Sequence, residues 1–176
     1  ISACLVGSEM CIRDSFTLEG DAVITGSLKV SGSGGHDISL SNNDLGTSNT
    51  IFGKNAGASI DAGSNYNVFV GENVSDAAMN DATYNVGVGY TTLSALTSGD
   101  YNIAIGGNAG AAITIGKFNT AIGFEALVAE DVGDRSTAIG YKALYSQNSD
   151  SDNETAGNTA VGMFTGHYNV TGQNNI

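Results

Sequence analysis

Seven residues stand out as candidate ligand contacts: Tyr66, Tyr84, Tyr101 and Phe118, each directly before an asparagine, and Asp150, Asp152 and Glu154 in the run Ser149-Asp150-Ser151-Asp152-Asn153-Glu154. Aromatics recurring every 17 or 18 residues would form a stripe able to stack on sugars or a surface receptor. The same spacing equally suits an intramolecular ladder that adds packing energy, which is the favoured reading. Alternating acids are oxygen ligands for Ca²⁺, but the turn glycine and distal glutamate of an EF-hand loop are missing. A solvated surface loop, and hence a plausible contact point, is the expectation there. Other chemistry has little to stand on. The histidines are His36 and His167 alone, too few for the four ligands of a zinc site. No Ser-His-Asp arrangement is signalled by spacing. Gly87-Val88-Gly89 runs on into Tyr90-Thr91-Thr92, so the dinucleotide pattern lacks its third glycine. Gly53-Lys54 and Gly116-Lys117 are followed by Asn55 and Phe118, so neither is a phosphate loop. The Gly-Gly-x-Gly-x-Asp pattern of calcium-binding β-rolls is absent too. No enzyme and no cofactor are expected.

Composition narrows the partners. The 176 residues include 25 glycines, no proline and no tryptophan, which excludes collagen. With 14% charged and 41% apolar residues the chain is not a charge-rich disordered segment. The net charge of −12, with Arg13, Lys29, Lys54, Lys117, Arg135 and Lys142 as the only bases, argues against nucleic acid as a partner. No apolar run approaches the roughly 20 residues of a membrane-spanning helix.

Residues 1–15 stand apart. Leu5-Val6-Gly7-Ser8-Glu9-Met10-Cys11-Ile12-Arg13-Asp14 resembles a translated sequencing adaptor, and back-translation reproduces the transposon-end codons in order. The alternative is a genuine apolar N-terminal strand. On the adaptor reading Cys4 and Cys11 carry no disulfide, metal or compartment argument, and both chain ends are expected to be cuts. Removing Glu9, Arg13 and Asp14 moves the net charge only to −11.

A repeat governs the rest. One pentapeptide recurs as Asn49–Gly53, Asn67–Gly71, Asn85–Gly89, Asn102–Gly106, Asn119–Gly123, Ser136–Gly140 and Asn158–Gly162. Its closing glycines are 18, 18, 17, 17, 17 and 22 residues apart, and Asn175-Ile176 begins an eighth copy. Before each glycine sits a large apolar residue: Phe52, Val70, Val88, Ile105, Ile122, Ile139 and Val161. Two residues earlier lie the β-branched Thr50, Val68, Val86, Ile103, Thr120, Thr137 and Thr159. Strand side chains alternate faces, so these two files share one face, expected to be the buried one. Between them Ile51, Phe69, Gly87, Ala104, Ala121, Ala138 and Ala160 become small, which suggests close approach by another backbone layer. The recurrent asparagines predict a hydrogen-bonded ladder rather than a ligand site.

Each unit therefore reads as strand, glycine turn, second strand or extended segment, glycine turn. A short strand cannot bury its face alone, and stacking units at roughly 4.8 Å makes one continuous core. Each buried Val or Ile contributes about 1.5–3 kcal/mol against an entropy inflated by glycine, so association, as a trimer, is expected to complete the core. The predicted fold class is all-β: a parallel β-roll or β-solenoid of stacked 17–18-residue repeats over 46–176. Residues 16–45 read as a connector, with two short strands in 21–30 and a Gly/Ser joint at 31–35.

The copies Asn-Thr-Ala-Ile-Gly-Phe-Glu-Ala-Leu (119–127) and Ser-Thr-Ala-Ile-Gly-Tyr-Lys-Ala-Leu (136–144) resemble the head repeats of trimeric autotransporter adhesins. They are equally similar to repeats of phage tail fibres and other virion proteins. The resemblance implies a left-handed parallel β-roll, three chains about one axis, and a role in display or attachment. The longer period departs from the adhesin pattern, and the leader Gly20–Val30 looks more like a phage fibre connector. The expected function is a non-enzymatic structural or adhesive fibre segment of a tail fibre or other virion protein, located on a virion or a cell surface. A host-surface glycan or receptor is the expected outside partner. The alternatives are a bacterial trimeric adhesin head and a carbohydrate- or ice-binding solenoid. Ice binding is disfavoured only because the threonine file is expected to point inward.

Overall fold

The computed structural model describes residues 3–6, 9–12, 46–152 and 155–176, with 3–6 and 9–12 described as backbone only. The connector strands expected in 21–30, the Gly/Ser joint, His36 and Glu154 lie outside the described residues. The chain divides into two units, residues 1–38 and 39–176. In the first, β1 (Ala3–Val6) and β2 (Glu9–Ile12) pair antiparallel, Ala3 opposite Ile12.

The second unit is a β-solenoid. Every pentapeptide contributes one three-residue strand: β3 (Thr50–Phe52), β4 (Val68–Val70), β5 (Val86–Val88), β6 (Ile103–Ile105), β7 (Thr120–Ile122), β8 (Thr137–Ile139) and β9 (Thr159–Val161). They form one parallel sheet in sequence order. Register follows the repeat without slip, so Thr120 lies beside Thr137, Ala121 beside Ala138 and Ile122 beside Ile139. The 22-residue spacing is absorbed before β9, which still pairs Thr137 with Thr159. Among the described residues there is no helix.

Three features close each coil. The pentapeptide glycine adopts φ between 120° and 140°, open to glycine alone, and a Cβ on Gly106 would stand 2.8 Å from the Gly123 carbonyl. The asparagine is the clamp. Asn102 Nδ2 donates 2.8 Å to the Gly116 carbonyl at the far end of its own coil, and its Oδ1 accepts the Asn119 N–H of the next coil at 3.0 Å. Asn49, Asn67, Asn85 and Asn119 repeat this pair of bonds, all of them buried. The expected ladder exists and does double duty. The segment expected as a second strand or extended stretch is instead a succession of turns, although its backbone still bonds coil to coil, as from Leu127 N–H to the Ala143 carbonyl at 3.0 Å.

The facing of the strands is the reverse of the expectation. The central residues are buried: Ile51, Phe69, Ala104, Ala121, Ala138 and Ala160 line the core, with Gly87 among them. The two flanking files, expected as the buried ones, point outward and are exposed or half-exposed along the whole sheet. Phe52 is 61% and Val161 65% exposed at the ends of the sheet, and Ile105 is 39% exposed at its middle. The expected alignment holds, since each file runs in register, but its side does not.

Volume explains the reversal. The lumen of a coil this narrow is filled from the turn segment, chiefly by Leu93, Leu96, Ile113, Leu127 and Leu144. The strand centre then takes what space remains. Ile51 lies against the backbone of Gly57, Phe69 and Val74 crowd Gly87, and the later coils keep Ala104, Ala121, Ala138 and Ala160 in a core that also holds Leu93, Leu127 and Leu144. Small strand centres beside large turn-segment residues keep the packing dense, as a closed core requires. A second large residue at the strand centre would overfill the coil, so the large strand residues face out.

Candidate functional site

The aromatic column forms as a ladder. Tyr66 stacks on Tyr84 with ring centroids 4.9 Å apart, Tyr84 on Tyr101 at 5.0 Å, and Tyr101 on Phe118 at 5.1 Å, all within 13° of parallel. Arg135, the next residue in the file, caps it with its guanidinium 5.4 Å from the Phe118 ring centre. The backbone makes this column unusual. All four aromatics sit at φ 57–60°, and Ser48 and Arg135 in the same file at 58° and 61°. A bulky residue there costs about 1–2 kcal/mol, which a stacked neighbour worth about 0.5–1.5 kcal/mol offsets. Stacking therefore accounts for aromatics at a position that sterics would give to glycine or asparagine.

Chemically, the ladder can offer edges but not interior faces. Rings 5 Å apart leave no gap for a sugar between them, although each of these residues is about half exposed. A second aromatic file lies just past the closing glycines, where Phe124 stacks on Tyr141 at 5.8 Å. Tyr90, Phe124, Tyr141 and Met163 there are all exposed. The outward sheet face is thus bordered by aromatics on both sides.

Asp150 and Asp152 lie on the exposed loop that carries the extra residues of the long repeat. That loop is tied to the core by a group that no motif announced. Glu130 is wholly buried, and its carboxylate accepts from the N–H groups of Gly133 (2.8 Å) and Ser149 (3.1 Å), from Ser149 Oγ (3.1 Å) and from Gln147 Nε2 (2.8 Å). Gln147 also donates to Ser136 Oγ, and its Oε1 receives Asn158 Nδ2 at 2.9 Å. The arrangement stands where the asparagine column is interrupted by Ser136, whose side chain is too short to clamp its own coil. That substitution, at the start of the long repeat, is the signal in the sequence.

His167 is half-buried, stacked on Tyr145 at 4.8 Å and edge-on to Phe164 and Tyr168. Among the described residues no three His, Cys, Asp or Glu side chains converge as a metal site would need. No helix of the described residues is long and apolar enough to cross a membrane. The principal ion pair is Lys117 to Asp100, Nζ to Oδ2 at 2.8 Å. Burial pushes the Asp100 carboxyl up, but hydrogen bonds from Lys117 and Thr83 and the Lys117 charge outweigh it, leaving the group below its ordinary value. In comparisons with known proteins, the chain matches no family model, no curated protein and no solved structure.

Proposed function

We propose that the chain is a non-enzymatic structural segment of a fibre, built to associate with copies of itself through the outward face of the solenoid sheet. The observation that carries this is the pair of in-register files, from Thr50 and Phe52 to Thr159 and Val161, turned to solvent. Six steps of roughly 4.8 Å make each file about 29 Å long. Phe52, Ile103, Ile105 and Val161 along these files are exposed, an apolar strip of the kind that an interface between protein chains buries. Three copies closing around one axis would bury it without leaving an edge, which is the arrangement the adhesin and tail-fibre resemblance implies. A rigid repeat of this kind acts by length and multivalent display, on a virion or, in the alternative, as a bacterial surface adhesin head. A host-surface glycan or receptor is then the outside partner. It would be met at the acidic loop (Asp150, Asp152) or along the tyrosine edges.

Sedimentation velocity on the chain and on an Ile122→Asp, Ile139→Asp variant tests the reading. The wild type should run as a trimer and the variant as a monomer with the same β-sheet circular dichroism. A stable, folded wild-type monomer at micromolar concentration would overturn it. A second reading has its own observation. The threonines Thr50, Thr120, Thr137 and Thr159 face outward, which removes the objection to an ice-binding face. Thermal hysteresis from a monomeric wild type would favour that reading, whereas the aromatic borders favour burial against protein.

A further inference from the structure

We propose that Tyr66, Tyr84 and Tyr101 are a site of oxidative coupling, at which a one-electron oxidant joins neighbouring coils through carbon–carbon bonds between tyrosine rings. The inference does not depend on whether copies of the chain associate, because the coupling partners lie within one chain. Three observations carry it. The rings are 4.9 and 5.0 Å apart and nearly parallel, so the ortho carbons of neighbours are already in each other's reach. Each of the three tyrosines is about half exposed, so an oxidant and solvent can reach it. Backbone bonds from Tyr66 N–H to the Thr47 carbonyl (3.1 Å), Tyr84 N–H to Asn65 (3.1 Å) and Tyr101 N–H to Thr83 (3.0 Å) hold successive tyrosines in register.

The step balances as follows. Each of two phenols gives one electron to the oxidant and its hydroxyl proton to solvent, forming two phenoxyl radicals. These join by a bond between ortho carbons, and each ortho hydrogen then transfers, as a proton, to its ring oxygen to restore aromaticity. The product is two hydrogens lighter, with two electrons passed to the oxidant and two protons to solvent. Tyr84, flanked on both faces, is the residue through which either bond must form. Phe118 has no phenol and ends the reactive stretch, while the ring stack itself continues through it. The consequence for the fold is a covalent staple along the stacking axis, joining three successive coils that are otherwise held by hydrogen bonds, packing and the Lys54–Glu72 ion pair.

The test is oxidation of dilute protein with a photo-excited ruthenium tris-bipyridine complex and persulfate, read by dityrosine fluorescence. Cleavage before aspartate then separates the three residues, because Asp76 and Asp81 lie between Tyr66 and Tyr84, and Asp100 between Tyr84 and Tyr101. Linked peptides joining Tyr66 to Tyr84 and Tyr84 to Tyr101, two hydrogens lighter than their sum, are expected, with none joining Tyr66 to Tyr101. Tyr84→Phe keeps the stack and should lose these links and most of the fluorescence. Tyr168→Phe, which alters the most exposed tyrosine, should leave both unchanged. Fluorescence undiminished in Tyr84→Phe, or links confined to Tyr168 or to pairs of chains, would overturn the proposal.

Discussion

Asn67 and Asn85 are joined across one coil step: the Asn67 Oδ1 accepts the Asn85 backbone N–H at 2.9 Å, while Asn67 Nδ2 closes its own coil on the Ala82 carbonyl at 2.9 Å. One primary amide thus satisfies a donor above it and an acceptor beside it, both buried. A hydroxyl cannot span that distance, and a carboxylate offers no donor for the carbonyl.

Removing one such clamp should be costly. Asn85→Ala would strand the Gly99 carbonyl and the Asn102 N–H, buried groups whose desolvation costs about 1–3 kcal/mol each. The expected loss is about 2–4 kcal/mol, read as a lower urea midpoint with unchanged slope at fixed protein concentration. Asn55→Gly is the control. Asn55 pairs with Asn73 on the exposed surface at φ 59°, which glycine also adopts, so the change should alter stability by no more than about 0.5 kcal/mol.

The reversed strand facing makes an opposite pair of predictions. Ala121 is 1% exposed in the core that also holds Leu127, so Ala121→Leu overfills the coil and should destabilise by about 1–3 kcal/mol. Ile122→Ser, one residue later on the outer file, should leave the folding of the isolated chain within about 1 kcal/mol and act instead on association. Denaturation of both variants under monomeric conditions decides the matter. If Ile122→Ser were the worse of the two, the face assignment described above would be wrong.

The period, the register, the asparagine ladder and the aromatic ladder were all legible in the sequence, because each depends only on equal spacing and residue type, whereas the closing of each coil by the same asparagine was not. Which face turns inward was not. Alternation along a three-residue strand defines two faces but gives no sign to either. Large size at Ile105, Ile122 and Ile139 suggests burial only where the lumen has room. The deciding information lay across the coil, in the large residues that the turn segment supplies to the lumen, such as Leu93, Ile113, Leu127 and Leu144, a relation that strand periodicity does not contain. Glu130 was missed for a different reason. Its partners are Gly133, Gln147 and Ser149, which no spacing pattern joins, and only Ser136, the gap in the asparagine file, hinted that something must replace the clamp.

Glu130 should behave as the anchor of the acidic loop. Glu130→Gln keeps the shape but turns an amide donor toward Gln147 or Ser149, both already donors to that carboxylate. The expected result is local opening, seen as faster cleavage by an aspartate-specific protease at Asp150 and Asp152, with the sheet circular dichroism retained. Glu130→Ala should also lower global stability by about 2–4 kcal/mol, since several buried donors lose their acceptor. Unchanged cleavage in both variants would show that the loop is held by other contacts.

The pH dependence follows from Asp61, Asp100 and Lys117. For Asp61 and Asp100 burial raises the pKa, but hydrogen bonds, joined at Asp100 by the Lys117 charge, outweigh it, so both end below the ordinary 3.8. Their contribution to stability is complete above that value and is lost as the pH falls through the lowered ones. Lys117 runs the other way. Its hydrogen bond to Asp100 raises it above 10.5, so its share is complete below that value and is lost as the pH rises through the raised one. Between these limits the three groups leave stability flat. Asp100→Asn keeps an acceptor for Thr83 but removes the charge facing Lys117. The variant should be less stable at neutral pH, by about 1 kcal/mol or less for so solvent-accessible a pair. Its urea midpoint should fall less steeply on acidification below 3.8, so that the two proteins converge at low pH. Parallel curves, with the neutral-pH gap preserved in acid, would mean that the gap does not arise from the Asp100 charge.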